Sequence, residues 1–188
     1  MLSGLSNQMI HAGLFFLAFA ATELPAAGAE GPKTAQFPKV SGSNLEGKKY
    51  QLPGDFEGEL NIAIVAFKRE HQTNVDTWIP DAKKLCARFG NLRYYEIPTI
   101  YRGNPLFRWW LDTAMNSGIP DKKAREATIT LYLDKPEFRA ALDIPDEDSI
   151  HVFLVNKSGK VMWRGKGDCT PDLVKDLTRA VEKELGKK

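Results

Sequence analysis

The sequence predicts an α/β fold, with a central mixed β-sheet covered by helices on both faces. Leu60 to Phe67 (LNIAIVAF) and Ile150 to Val155 (IHVFLV) are nearly unbroken apolar runs with β-branched residues, the pattern of strands buried on both sides. Between and after them, strand-like runs alternate with helical periods, an order that demands right-handed crossovers and a sheet covered on both faces. The composition agrees: 188 residues, 43% hydrophobic and 27% charged with a formal net charge of +2, suit one domain with an appendage. They exclude collagen-like, coiled-coil and wholly disordered chains. Two cysteines cannot staple a disulfide-rich miniature or fill a zinc ribbon. So small a net charge gives no general argument for a nucleic-acid partner.

The chain opens on Ala12 to Thr22 (AGLFFLAFAAT), an uncharged run too short for an ordinary membrane span but suited to the core of a secretory signal peptide. Ala27-Gly28-Ala29 matches a small-x-small cleavage pattern, although residues 1–29 carry no Lys or Arg in front of the run. The expectation is a signal peptide over residues 1–29, cleaved near Ala29, and a periplasmic or otherwise exported chain with no stable membrane span. Cleavage removes one acid, Glu23, and no base, which leaves 159 residues at a net charge of +3. Residues 30–49 (EGPKTAQFPKVSGSNLEGKK) read as a linker or irregular lead-in, and residues 50–188 as the folded domain.

After the first buried strand, Thr73 to Phe89 follows a helical period. Trp78, Ala82, Leu85, Cys86 and Phe89 lie on one side, with Asp81, Lys83, Lys84 and Arg88 on the other. Gly90-Asn91 ends it, and Leu92 to Ile97 is a second strand closed by Pro98. Asn104-Pro105 opens a helix that runs to Gly118 with Leu106, Phe107, Trp110 and Leu111 inward. Thr128 to Leu133 alternates as a strand, and Pro136 to Leu142 is a short helix. Ile150 to Val155 then turns through Asn156-Lys157-Ser158-Gly159 into Lys160 to Arg164, a hairpin. Thr170-Pro171 caps a last helix whose core face is Leu173, Val174, Leu177, Val181 and Leu185.

The segment Val152 to Arg164 with Gly165 and Gly167, the lead-in Phe37-Pro38 and Leu52-Pro53, and Pro80 inside the first long helix together resemble the thioredoxin-like superfamily, of the peroxiredoxin and exported thiol-reductase type. The resemblance covers about residues 37–186. It implies two redox cysteines at the start of the first long helix, the second five residues before the proline. Here those places hold Gln72 and Val75, and no cysteine lies between Phe67 and Leu85. The resemblance also implies a cis-proline ahead of the hairpin, where this chain has Ile150. Without a thiolate at the helix start, dithiol–disulfide exchange by the usual route is not expected. Trp78 with Pro80, Tyr95 to Arg108, Asp134 to Leu142 and Val161 to Gly165 further resemble the cysteine-poor family that includes the mitochondrial ATP-synthase assembly factor and its bacterial relatives.

Several residues remain as chemical candidates. Cys169 precedes the last helix beside Lys166, which favours a reactive thiol, and beside Asp168, which opposes one; the bland reading is a small residue in a tight loop. Cys86 reads as a small buried hydrophobe, and a Cys86–Cys169 disulfide is a weaker alternative. His71 and His151 flank the vacated redox positions. With Lys68 they suggest a polar or anion-binding remnant, against which stands the reading of two solvated surface histidines. No ligand-spaced pair supports a metal site. Arg108 and Trp109, facing away from the core stripe of their helix, are candidate partner-contact residues. Asp143, Asp146, Glu147 and Asp148 form an acidic loop, read as a solvated turn because their spacing matches no EF-hand.

The resulting expectation is an exported, redox-inactive protein that works by binding a protein partner through Lys68, His71, Arg108, Trp109 and His151, without a cofactor. The role the resemblance implies is that of an assembly or chaperone-like factor for an envelope or respiratory complex. The competing expectations are a single-cysteine thiol oxidoreductase or peroxidase using Cys169, and a metal- or anion-binding protein using the two histidines.

Overall fold

The computed structural model describes residues 35–102 and 119–186. The expected signal peptide and the expected helix over 104–118, with Arg108 and Trp109, lie outside the described residues. Seven strands form one mixed sheet: β1 (Val40–Asn44), β2 (Lys49–Leu52), β3 (Leu60–Ala66), β4 (Leu92–Tyr101), β5 (Ile129–Leu133), β6 (His151–Asn156) and β7 (Val161–Lys166). Their order across the sheet is β2-β1-β5-β4-β3-β6-β7. The β3–β4 and β4–β5 pairs are parallel, and every other pair is antiparallel. The helices are α1 (Gln72–Arg88), α2 (Lys122–Ala127), α3 (Lys135–Ala141) and α4 (Pro171–Leu185).

The apolar run read as a strand buried on both sides is β3, and its alternation divides the core. Leu60, Ile62 and Ile64 join Val75, Trp78, Ala82 and Leu85 of α1 and Leu177 and Val181 of α4 on one face. Ala63 and Val65 point to the other face, where Phe37, Phe56 and Phe138 pack edge to face with ring centroids 5.6 and 5.8 Å apart. Asn61, fully buried on β3, has its polar atoms satisfied. It accepts from the Gly58 N–H at 3.0 Å and donates to the carbonyls of Gly58 and Val155.

Two sequence expectations are corrected. The lead-in read as irregular to residue 49 contains β1 and the start of β2, a hairpin whose residues Gly42 to Asn44 pair with β5. Glycine and lysine composition suggested a linker, but this edge hairpin needs no apolar stretch, and Gly42 lets β1 pass closely over Leu131. Pro98 does not close β4. It forms the last pair with β3, opposite Ala66, and the strand runs on by pairing Thr99 to Tyr101 with β5. A proline that cannot donate is tolerated where one ladder ends. No expectation covered residues 119–127, where Asp121 caps α2 by accepting from the Lys123 N–H at 3.0 Å. The remaining boundaries shift by one or two residues, as at Lys135–Ala141 against the predicted Pro136 to Leu142.

Two glycines give a paired test of this packing. A methyl group at Gly58 would sit 2.3 Å from the Leu60 carbonyl oxygen and 2.8 Å from the Asn61 side chain, whereas one at Gly90 would meet nothing within 4 Å. Gly58→Ala is expected to destabilise the fold by about 1–3 kcal/mol. Gly90→Ala is expected to be neutral or to stabilise by about 0.5 kcal/mol, both measured by urea denaturation of the native chain.

Candidate functional site

The candidate site forms where β3 ends and α1 begins. After Phe67 the chain makes a single 3₁₀ turn, Arg69–His71, that leads directly into α1, so Gln72 is the first residue of the helix and Val75 lies in its first turn. Val75 and Ile150 are buried, and Ile150 immediately precedes β6. The three positions that the resemblance assigns to redox chemistry thus hold an amide and two apolar side chains. The Gln72 amide donates to Asp76 Oδ1 at 2.9 Å and to Glu96 Oε2 at 3.5 Å. Burial pushes the Glu96 carboxyl above its ordinary range, the Gln72 hydrogen bond opposes that, and the nearby Asp76 charge adds to it.

The two histidines are not on the surface, which corrects the reading of two solvated surface side chains. His71 is 5% exposed and His151 8%. The Phe67 N–H donates to His71 Nδ1 at 3.4 Å, which leaves the proton of the neutral ring on Nε2. His151 stacks on Phe153, with centroids 6.3 Å apart and an interplanar angle of 13°, and its buried Nε2 has no hydrogen-bond partner among the described residues. Both imidazoles are held below their ordinary pKa, foremost by burial. Lys68 adds to the effect at His71 and Lys166 at His151. Neutral rings are the forms this environment accepts.

The acidic loop is not simply solvated, since each carboxylate faces a base. Asp148 pairs with Lys68 at 2.8 Å, which raises the Lys68 pKa, and Asp146 pairs with Lys166 at 3.6 Å. Glu147 meets Lys135 at 3.0 Å and Arg139 at 3.5 Å, and Asp143 meets Arg164 at 3.8 Å. Lys68 is therefore half-exposed but engaged. Its partner carboxylate comes from the segment that leads into His151. Among the described residues, no group of three or more His, Cys, Asp or Glu side chains is arranged to hold a metal ion.

Sequence reasoning missed how the loop before α4 is fastened to α1. Asn74 Nδ2 donates to Asp168 Oδ1 at 2.6 Å, the Cys169 N–H donates to Thr77 Oγ1 at 2.9 Å, and the Trp78 indole N–H donates to the Gly167 carbonyl at 2.8 Å. Asn74, Thr77 and Trp78 lie at helical spacing on one face of α1, which is the signal that could have found the contact. Cys169 sits inside this seam, and its thiol donates to Asp81 Oδ2 at 3.8 Å. Burial first, and the Asp81 charge second, push its pKa up to about 11. Burial does the same to Cys86, also to about 11, and both cysteines are free thiols. A thiol with such a pKa holds about one thiolate in ten thousand at pH 7. Cys169 is expected to react with a disulfide reagent at pH 7 about a hundredfold more slowly than free cysteine. Asp81→Asn, which removes the opposing charge, is expected to speed that reaction, as followed by release of the reagent's chromophore.

No family model matches the chain, and no curated protein matches it. Solved structures do. A thiol:disulfide interchange protein from Bacteroides sp. is 20% identical over 80% of this chain and 88% of its own, with a TM-score of 0.51. The thioredoxin domain of a thiol-disulfide oxidoreductase from Bacteroides vulgatus is 20% identical over 80% and 95%, with a TM-score of 0.50. BsSco, a member of the Sco family of cytochrome c oxidase assembly proteins, is 17% identical over 80% and 95%, with a TM-score of 0.52. At these identities the likeness is one of architecture, and with the mixed sheet described above it establishes that the chain has a thioredoxin-like fold.

Proposed function

We propose that this chain acts by binding a protein partner and not by dithiol–disulfide exchange, as an assembly or chaperone-like factor in an exported compartment. The observation that carries the reading is the first turn of α1. Exchange needs a thiolate at a helix start, where the amide dipoles lower its pKa, and this helix starts on Gln72 with a buried Val75 one turn in. Cys169 and Cys86 supply no replacement, because burial holds both thiols protonated. Two further points support the reading. The leader-like run Ala12 to Thr22 with Ala27-Gly28-Ala29 fits export. BsSco, whose architecture is similar, belongs to a family of cytochrome c oxidase assembly proteins. Among the described residues no helix is long and apolar enough to cross a membrane.

Lys68 stands at the exposed rim of the vacated site, and Arg108 and Trp109 complete the proposed contact set, with Trp109 as the aromatic anchor. His71 and His151 belong to the layer beneath it.

The test has two arms. The native chain is expected to leave insulin disulfides unreduced above background, while the double variant Gln72→Cys/Val75→Cys gains a disulfide that can be reduced and reoxidised. Native turnover equal to that of the double variant overturns the binding reading. In the second arm, Trp109→Ala is expected to keep the near-UV circular dichroism of the native chain and to lose a partner that cross-links to it in its host's envelope fraction. Unchanged cross-linking removes Trp109 from the contact set.

A further inference from the structure

Between the buried anchors Ile144 and Ile150 lie five residues, Pro145 to Ser149, none of them buried. Their hold on the rest of the molecule is electrostatic. Asp148 is bound to Lys68, Asp146 to Lys166, and Glu147 to Lys135 and Arg139. The Arg139 guanidinium also donates to the Pro145 carbonyl. Within the segment, the Asp148 N–H donates to Asp146 Oδ1 at 3.0 Å, and just beyond it the Gly167 N–H donates to the Ile150 carbonyl at 3.1 Å. Beside this segment lie two buried neutral imidazoles, His71 and His151.

We propose that residues 145–149 form an acid-released latch, which lifts from the sheet when His71 and His151 take up protons while the sheet itself stays folded. The argument follows the charges that face each ring. An imidazolium at His151 places a proton on a buried Nε2 with no acceptor among the described residues. It faces Lys166 and Arg164 from β7, His71 from the turn before α1, and the carboxylate of Asp146, whose charge is already shared with Lys166. An imidazolium at His71 faces Lys68 and the carboxylates Glu70, Asp148 and Glu147; of these, Asp148 is bound to Lys68, and Glu147 to Lys135 and Arg139. Each new charge therefore competes for a carboxylate that holds the segment down, and the two rings repel one another. The linkage has a definite sign. Neutral-ring packing stabilises the closed form above the ordinary imidazole pKa and is lost as pH falls below it. Over the same range Asp146 keeps its charge, because the Asp148 N–H holds its carboxyl below the ordinary carboxylate range. The latch does not depend on what binds at the site, so its failure leaves the partner-binding reading standing.

Amide hydrogen exchange of the full chain, followed residue by residue and corrected for intrinsic rate, reads the latch at the amides of Asp148 and Gly167. Between about pH 7.5 and about pH 5.5 their protection is expected to fall by about tenfold or more, while the amides of β3 stay at least about a hundredfold better protected. The fall is expected to coincide with the shift of the two imidazole Cε1–H signals in the same sample, and to vanish in the variant His71→Gln/His151→Phe. Constant or rising protection at the lower pH overturns the proposal. So does a fall that accompanies loss of β3 protection, that precedes movement of the imidazole signals, or that persists in the double variant. The wild-type titration decides the matter even if the double variant does not fold.

Discussion

Burial of β3 on both faces is the constraint on which the rest of the molecule depends. A strand with no solvent-facing side must have every backbone group paired and both rows of side chains covered. Parallel β4 on one side and antiparallel β6 on the other meet the first need. The second requires two separate covers, α1 with α4 on one face and the Phe37–Phe56–Phe138 cluster on the other. Fully burying a side chain of this size contributes about 1.5–3 kcal/mol, so a few such residues carry stabilisation of the order of a domain's whole net stability. The site inherits its position from this arrangement, because the turn Lys68 to His71 begins where β3 runs out of partners.

That much was legible in the sequence for a physical reason. LNIAIVAF and IHVFLV are long apolar runs, and such runs are read most simply as strands covered on both faces. The helix α1 announced itself through a 3.6-residue period and α4 through its period and its cap, where Thr170 accepts from the Leu173 N–H. The β1–β2 hairpin did not, since its turn-forming and charged residues look like a linker and its buried Tyr50 and Leu52 form no long apolar run. Pro98 misled because propensity speaks of an isolated strand, while the fold needs only that one of two ladders stop at that residue.

The site was legible in its positions and less so in its surroundings. Gln72, Val75 and Ile150 could be placed by counting from Pro80 and from the hairpin, because a helix fixes spacing. That His71 and His151 are buried could not be read, because burial of a lone polar residue depends on which distant segments cover it. The ion pairs of Asp143, Asp146, Glu147 and Asp148 tie the loop to the turn before α1, to α3 and to β7, and Glu147 with Arg139 is the closest of them in the chain. Cys169 shows the same limit. Its sequence neighbours, Lys166 and Asp168, argued in opposite directions, and the residue that faces it is Asp81, across a tertiary contact.

The outer strands of the sheet set a boundary on how copies of this molecule meet. One end of the β7 edge is already taken: Gln36 pairs with Lys160 just before the strand, and the Val161 N–H donates to the Ala35 carbonyl. The rest carries exposed Arg164 and Lys166, beyond a bulge at Met162 that bends the strand where Leu154 faces Trp163 and Val155 faces Val161. At the other edge β2 is only four residues long, with Lys49 and Gln51 exposed. A neighbouring strand approaching either side meets charge, curvature or too short a template, so the sheet resists growing from one molecule into the next. The molecule is thereby protected from fibrous self-association by its two outermost strands.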